Sequence, residues 1–269
     1  MIGRTVVRGR WHRAASLVSV VAASAALIAG TSADPASAAL RLAPTKITLA
    51  RSHSPVITGN AVDFSGVVTP HSQRSLTLQQ KLRGKWKPLA TAKSNSSGAY
   101  KFRWVISAPG TLSFRVGVKA TKKAQGANSP NVTVVGERWH YLSDEQPVQS
   151  ECECENGPIE INGKTYAHSV FENDIIFADP DWADYNLRRS CVTLTAVAGL
   201  GDDSSSDASA ELDVLLDGTN KFSHDFGLGQ SAKVSLKING NLRLRLSWTY
   251  LAGSDPDIGW GDARILCKW

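Results

Sequence analysis

The sequence predicts an all-β protein made of two successive sandwiches, and three observations carry that expectation. Apolar and polar residues alternate with a period of two through one short run after another, and no stretch of the two halves shows the 3.6-residue apolar period of a helix. Gly, Pro and Ser clusters punctuate those runs, with Asn162-Gly163, Asp217-Gly218 and Asn239-Gly240 standing where hairpin turns belong. Charge and cysteine content change abruptly near residue 137. Residues 39–136 hold 15 Lys and Arg against one acid, Asp63, for a balance of +14, whereas residues 137–269 hold 11 against 22 Asp and Glu, for a balance of −11. A swing of that size marks a domain boundary and sets what each surface attracts.

The first 38 residues belong to neither half. Arg4, Arg8, Arg10 and Arg13 precede an uncharged apolar run from Ala14 to Gly30, and Ala36-Ser37-Ala38 supplies the small residues that a signal peptidase needs. The expectation is a secretory signal cleaved after Ala38. The run is slightly short and Ser-diluted for a retained membrane anchor, which needs about 20 apolar residues. No cysteine near the cleavage point offers a lipid attachment site. The mature protein is therefore expected outside the cell, secreted or associated with its surface.

In the basic half, Tyr100, Phe102 and Trp104 share one face of a strand and Lys101 and Arg103 the other. Leu112 to Lys119 repeats the alternation. Further strands are read at 46–50, 62–68, 76–82, 86–90 and 131–135. Seven or so short strands over about 100 residues predict an immunoglobulin-like sandwich over 39–136. Val62-Asp63-Phe64-Ser65-Gly66, Leu78-Gln79-Gln80, Trp86, Gly98 to Phe102 and Gly110 to Arg115 resemble a bacterial immunoglobulin-like domain common in actinobacterial surface proteins, which implies a spacer or adhesive role. Lys101, Arg103, Arg115 and Lys119, joined by Lys81, Arg83, Lys85 and Lys87, are expected on one sheet face. Such a face would attract a cell-wall or other polyanion. Trp86 and Trp104 read as core residues and not as a stacking platform, which argues against nucleic acid as the target.

The acidic half is also strand-patterned. Cys191 to Val197, Glu211 to Leu215 and Lys233 to Ile238 alternate, and Leu242, Leu244, Leu246 and Trp248 form one apolar face opposite Arg243 and Arg245. Eight or so strands with long polar loops predict a jelly roll over 137–269. Its four cysteines, Cys152, Cys154, Cys191 and Cys267, predict two disulfides with three pairings open. A Cys152–Cys154 bond would close a very small ring, so distant partners are favoured for both. A zinc site is the weaker reading, since no paired C-x-x-C and no nearby histidine accompany them.

One ordered set of motifs runs the length of this half. It comprises Tyr141-Leu142-Ser143-Asp144, the stretch Ile159 to His168, Tyr185-Asn186-Leu187, Gly199-Leu200-Gly201-Asp202-Asp203, Asp217-Gly218, Leu242-Arg243-Leu244 and Trp260-Gly261-Asp262-Ala263-Arg264. In this the half resembles NPCBM, the "novel putative carbohydrate-binding module" family. The resemblance implies a galactose-binding, discoidin-type sandwich that recognises galactose-type or other glycans without catalysis. Ser169 stands where the family often has Gly, and the run from Asp255 to Gly259 is shorter than the family's.

A sugar site pairs an aromatic plate with a few fixed polar groups in a shallow cleft. Tyr166, His168, Trp182, Trp260, Asp262 and Arg264 are the candidates. Alternation puts Tyr166 and His168 on the same side. Trp182 lies in the acidic run from Asp179 to Asp184 and reads as the plainly exposed aromatic, while Gly259 and Gly261 open backbone room around Trp260, which reads equally as a plate or as a turn packed on the core. Asp202, Asp203 and Asp207, in a loop with Ser204 to Ser206, suit a structural calcium, as does the Asp179–Asp184 run. No G-x-S-x-G, H-E-x-x-H, P-loop or dinucleotide fingerprint occurs, so an enzyme is not expected. The alternative to a glycan binder is a surface scaffold that has lost its sugar site.

Overall fold

The computed structural model describes residues 41–173, 180–254 and 256–269. The expected signal segment, residues 174–179 with Asp179, and Asp255 lie outside the described residues. In the basic half, β1 (Lys46–Ile47), β2 (Ala50–Arg51), β3 (Val56–Ile57), β4 (Ala61–Thr69), β5 (Ser75–Leu82), β6 (Lys85–Lys93), β7 (Ala99–Val105), β8 (Gly110–Val118) and β9 (Ala127–Asn128) lead into β10 (Val132–Tyr141). A 3-10 turn at Leu142–Asp144 follows. Then come β11 (Gln149–Glu151), β12 (Glu155–Ile161), β13 (Lys164–Glu172), β14 (Asp181–Asn186), β15 (Cys191–Leu200), β16 (Ser209–Leu216), β17 (Thr219–Gly227), β18 (Ser231–Lys237), β19 (Arg243–Ala252) and β20 (Ile258–Cys267). The described residues contain no α-helix, and the all-β, sandwich-built fold class is borne out.

Two main cores lie on either side of β10, and a smaller buried cluster of Ile159, Ile161, Tyr166 and Phe171 lies apart from them. In the first, β4 pairs with β1, β2 and β7, and this sheet faces β8, β5 and β6. Period-two patterning decides what goes inside. Val62 and Phe64 of β4 are fully buried while Asp63 and Ser65 are not, and Phe64 meets Phe114 of β8 at 4.9 Å between ring centroids. In the second, the sheet β11–β14–β19–β16–β17 packs over β12, β13, β20, β15 and β18. Leu212, Leu244, Leu246, Trp248 and Trp260 are buried between them.

β10 belongs to both halves. Val132 to Gly136 pair with β8, and Arg138 to Tyr141 pair with β20, so one eleven-stranded sheet runs through the molecule. Glu137 sits at the crossover and is buried, and that burial raises its carboxyl pKa above the usual 4.5 against the opposing charge of Lys268. Residues 42–269 accordingly form one compact unit.

Three expectations are corrected here. Lys101 and Arg103 lie on β7, in one sheet, and Arg115 lies on β8, in the other, so the basic residues do not share one face. Lys101 is also held by Asp63 at 3.0 Å. Trp86 is half-buried under the Arg115 guanidinium, 4.3 Å from its ring, and is not part of the core. The disulfides are Cys152–Cys154 and Cys191–Cys267. Cys191 and Cys267 oppose each other on β15 and β20, which leaves the other two for each other. The C-x-C segment lies between β11 and β12, with its Cα atoms 5.0 Å apart, within the disulfide range of about 4.4–6.8 Å.

Candidate functional site

The outer face of the β13–β20–β15–β18 sheet carries the candidate site, a shallow groove of about 340 Å³. Lys164, Tyr166, Thr195, Lys233, Asp262 and Arg264 are among its lining residues. It is built by a bulge. Arg264 pairs with Thr195 and Gly261 with Val197, so Asp262 and Ala263 together face a single residue of β15. Asp262 takes a left-handed backbone (φ 45°), which re-aims its carboxylate along the sheet. There Asp262 Oδ1 accepts the His168 backbone N–H at 3.0 Å, and the Asp262 N–H donates to Ser169 Oγ at 3.4 Å. Ser169 is fully buried and its hydroxyl donates to the Tyr166 carbonyl.

His168 is exposed and lies nearly parallel to the Tyr141 ring, 4.1 Å between centroids at 16°. Arg264 covers the ring of Trp139 at 4.6 Å and sits 5.9 Å from that of Tyr141, while its Nε donates to Thr195 Oγ1 at 3.3 Å. The arrangement is an aromatic stack, Tyr141 on His168, flanked by a carboxylate and a guanidinium. Such a set offers a plate for the C–H face of a ring, an acceptor and several donors.

Of the six predicted residues, the structure gathers His168, Asp262 and Arg264 at this stack. Tyr166 lines the groove but is itself buried. Its ring lies over Gly261, where a Cβ would come within 2.7 Å of it, and Lys164 Nζ covers it at 4.6 Å. For Trp260 the reading as a residue packed on the core holds, and the reading as a sugar-binding plate is overturned. The room that Gly259 and Gly261 open lies on the outer face and is filled by Ile159 and Tyr166, while Trp260 points the other way into the sandwich, 0% exposed, edge-on to Phe222. Trp182 is corrected too. It stands on β14, on the other sheet, with Arg245 stacked 3.5 Å over its ring and its Nε1 donating to Glu151. Trp139 and Tyr141 are site residues that the sequence reading did not single out, although Tyr141 opens the motif set and Trp139 precedes it at an i, i+2 spacing that puts both on one face of a strand.

The calcium candidates do not converge on one ion. Both Asp202 oxygens accept backbone N–H groups, from Asn162 and Gly163 at 2.6 Å each, so this side chain caps the β12–β13 turn. Asp207 Oδ1 accepts the Ser205 hydroxyl, and Asp203 is exposed. Among the described residues, the one group of three metal-type ligands within 4.8 Å is Cys152, Cys154 and Glu172, and its sulfurs are spent in a disulfide. The residues present therefore do not fit a calcium ion at the 202–207 loop. No helix among the described residues is long and apolar enough to cross a membrane.

No curated protein matches the chain. Among solved structures, it is similar to a CBM51 module with an INT domain from Clostridium perfringens ZmpB in complex with GlcNAc, at 12% identity and a TM-score of 0.40, covering 61% of this chain and 39% of that one. The chain thus spans about two fifths of that relative's length. It is also similar to CBM51 from Clostridium perfringens GH95 in complex with methyl-galactose, at 17% identity and a TM-score of 0.41, covering 47% of this chain and 99% of that one. The NPCBM/NEW2 domain family matches residues 110–266, from the start of β8 to the penultimate residue of β20, and so takes in the strand that both halves share. The chain belongs to the NPCBM/NEW2 domain family.

Proposed function

We propose that the protein is a secreted, non-catalytic glycan binder that takes a galactose-type sugar on the outer face of the β13–β20 sheet. The observation that carries this reading is the Tyr141–His168 stack beside Asp262 and Arg264. The C–H patch of a pyranose would lie on the aromatic pair, and its hydroxyl rim would donate to Asp262 and accept from Arg264 and Lys233. The membership of the NPCBM/NEW2 family supports the carbohydrate class. Affinity electrophoresis of the full chain against a panel of glycans tests the reading, with His168→Ala and Asp262→Ala as site variants. The full chain is needed because a fragment starting at Glu137 lacks the half of β10 that pairs with β8.

The rest of the proposal follows from the sequence. The basic half would be an immunoglobulin-like spacer that meets cell-wall or similar polyanions, as its +14 balance favours. A calcium ion is kept only as a testable addition: a thermal melt that falls on adding chelator would place one in the protein, and an unchanged melt would remove it. Hydrolysis of any glycan by the full chain would overturn the non-catalytic part.

A further inference from the structure

The second sheet carries a pocket of its own, about 350 Å³, on the face of β14, β19 and β16 opposite to the core. It is lined by Asp184, Leu215, Asp217, Gly218, Arg243 and Arg245. Its two arginines differ. Arg245 is fully committed: Nε and Nη2 donate to the two oxygens of Asp184 at 2.8 and 3.1 Å, and the guanidinium stacks on Trp182. Arg243, two residues away on the same face, makes no ion pair among the described residues, and its Nη1 is shielded from solvent with no hydrogen-bond partner. The neighbouring Asp217 does not answer it, because its carboxylate accepts the backbone N–H groups of Leu242 and Arg243 at 2.8 to 3.2 Å.

A guanidinium N–H withdrawn from water without an acceptor is costly, and a planar carboxylate is the partner that its fork matches. We propose that this pocket binds a carboxylate-bearing sugar, a hexuronate unit of an acidic polysaccharide, with its carboxylate on Arg243. Leu215 offers an apolar floor to the ring, and the remaining lone pairs of Asp184 and Asp217 accept its hydroxyls. An anionic partner follows from Arg243, whose fork matches carboxylate and phosphate alike. That a sugar carries the charge, as a carboxylate, rests on the proposed function.

The test is a titration of the full chain, followed by backbone amide NMR, with galacturonate, galactose and acetate in turn. Galacturonate should shift the amides of Gly218, Leu242 and Arg243 saturably, and galactose should leave them in place. Arg243→Gln should weaken galacturonate roughly tenfold to a hundredfold, the loss expected of one charged hydrogen-bonded pair, while His168→Ala should leave it unchanged. The wild-type map stands even where Arg243→Gln fails to fold. The proposal is overturned if galacturonate moves none of these amides, if Arg243→Gln binds it as well as wild type, or if galactose or acetate binds there equally. Galactose failing at the His168 face while galacturonate binds at Arg243 would remove the first site and keep this one.

Discussion

Tyr166 over Gly261 shows how a single missing side chain shapes the candidate site. A Cβ at residue 261 would stand 2.7 Å from the ring, closer than real contacts come, so the ring and the β12–β13 hairpin would have to move. Gly261→Ala should therefore cost about 1–3 kcal/mol, the usual penalty of overpacking, read as a lower thermal melting point. An unchanged melt would show that the ring is not seated there. Glu137 gives a second test at this scale. Its folded pKa lies above its ordinary value because burial disfavours the charge. The folded state then holds the proton more tightly than the unfolded chain, so stability falls as pH rises from about 4.5 through the raised value. Glu137→Gln should melt higher than wild type at neutral pH, with the difference shrinking on acidification; a difference constant with pH would contradict this. The sequence was readable here only in part. It marked His168, Asp262 and Arg264 by residue type, but it could not say which way Trp260 points, because the flanking glycines make room on the face opposite to the indole. Trp182 misled for a related reason: an acidic, Pro-containing run looks like a loop, yet a strand begins at Asp181 and Arg245 covers the ring.

At the scale of elements, hairpins and bulges do the positioning. The β12–β13 turn is held by Asp202, which reaches from the β15–β16 loop to two backbone N–H groups. Charge-assisted bonds of this kind are worth about 1.5–3 kcal/mol each in favourable settings, and less when exposed. Asp202→Ala should lower stability by about 1–2 kcal/mol on that basis, and equally with or without chelator. A loss seen only without chelator would instead make Asp202 a metal ligand. The strand pattern was legible because period-two alternation follows directly from the pleat. The bulge at Asp262 was not, since nothing in the local sequence fixes which residue of β15 it faces. The disulfides failed in the same way: an expectation based on ring size cannot see that β15 and β20 oppose Cys191 to Cys267 and so leave Cys152 and Cys154 for each other.

For the whole molecule, the shared strand matters more than the charge boundary. Composition changes sign near residue 137, but β10 runs through that point without a break, pairing first with β8 and then with β20. Charge reports what a surface attracts and says nothing about where hydrogen bonding stops. Two cores joined by a continuous sheet should unfold together, so residues 42–269 should show one cooperative thermal transition. Two well-separated transitions would contradict that coupling.

The central claim is that the His168–Tyr141 stack with Asp262 and Arg264 binds sugar. Its most direct test is the affinity of the full chain for galactose-type glycans, compared with His168→Ala and Asp262→Ala variants whose melts match wild type. The account predicts binding by the wild type that weakens about tenfold or more in each variant, as expected for the loss of a stacking face or of a hydrogen-bonded polar group. Wild-type affinity in both variants, or a folded protein that binds no glycan on the panel, would contradict it.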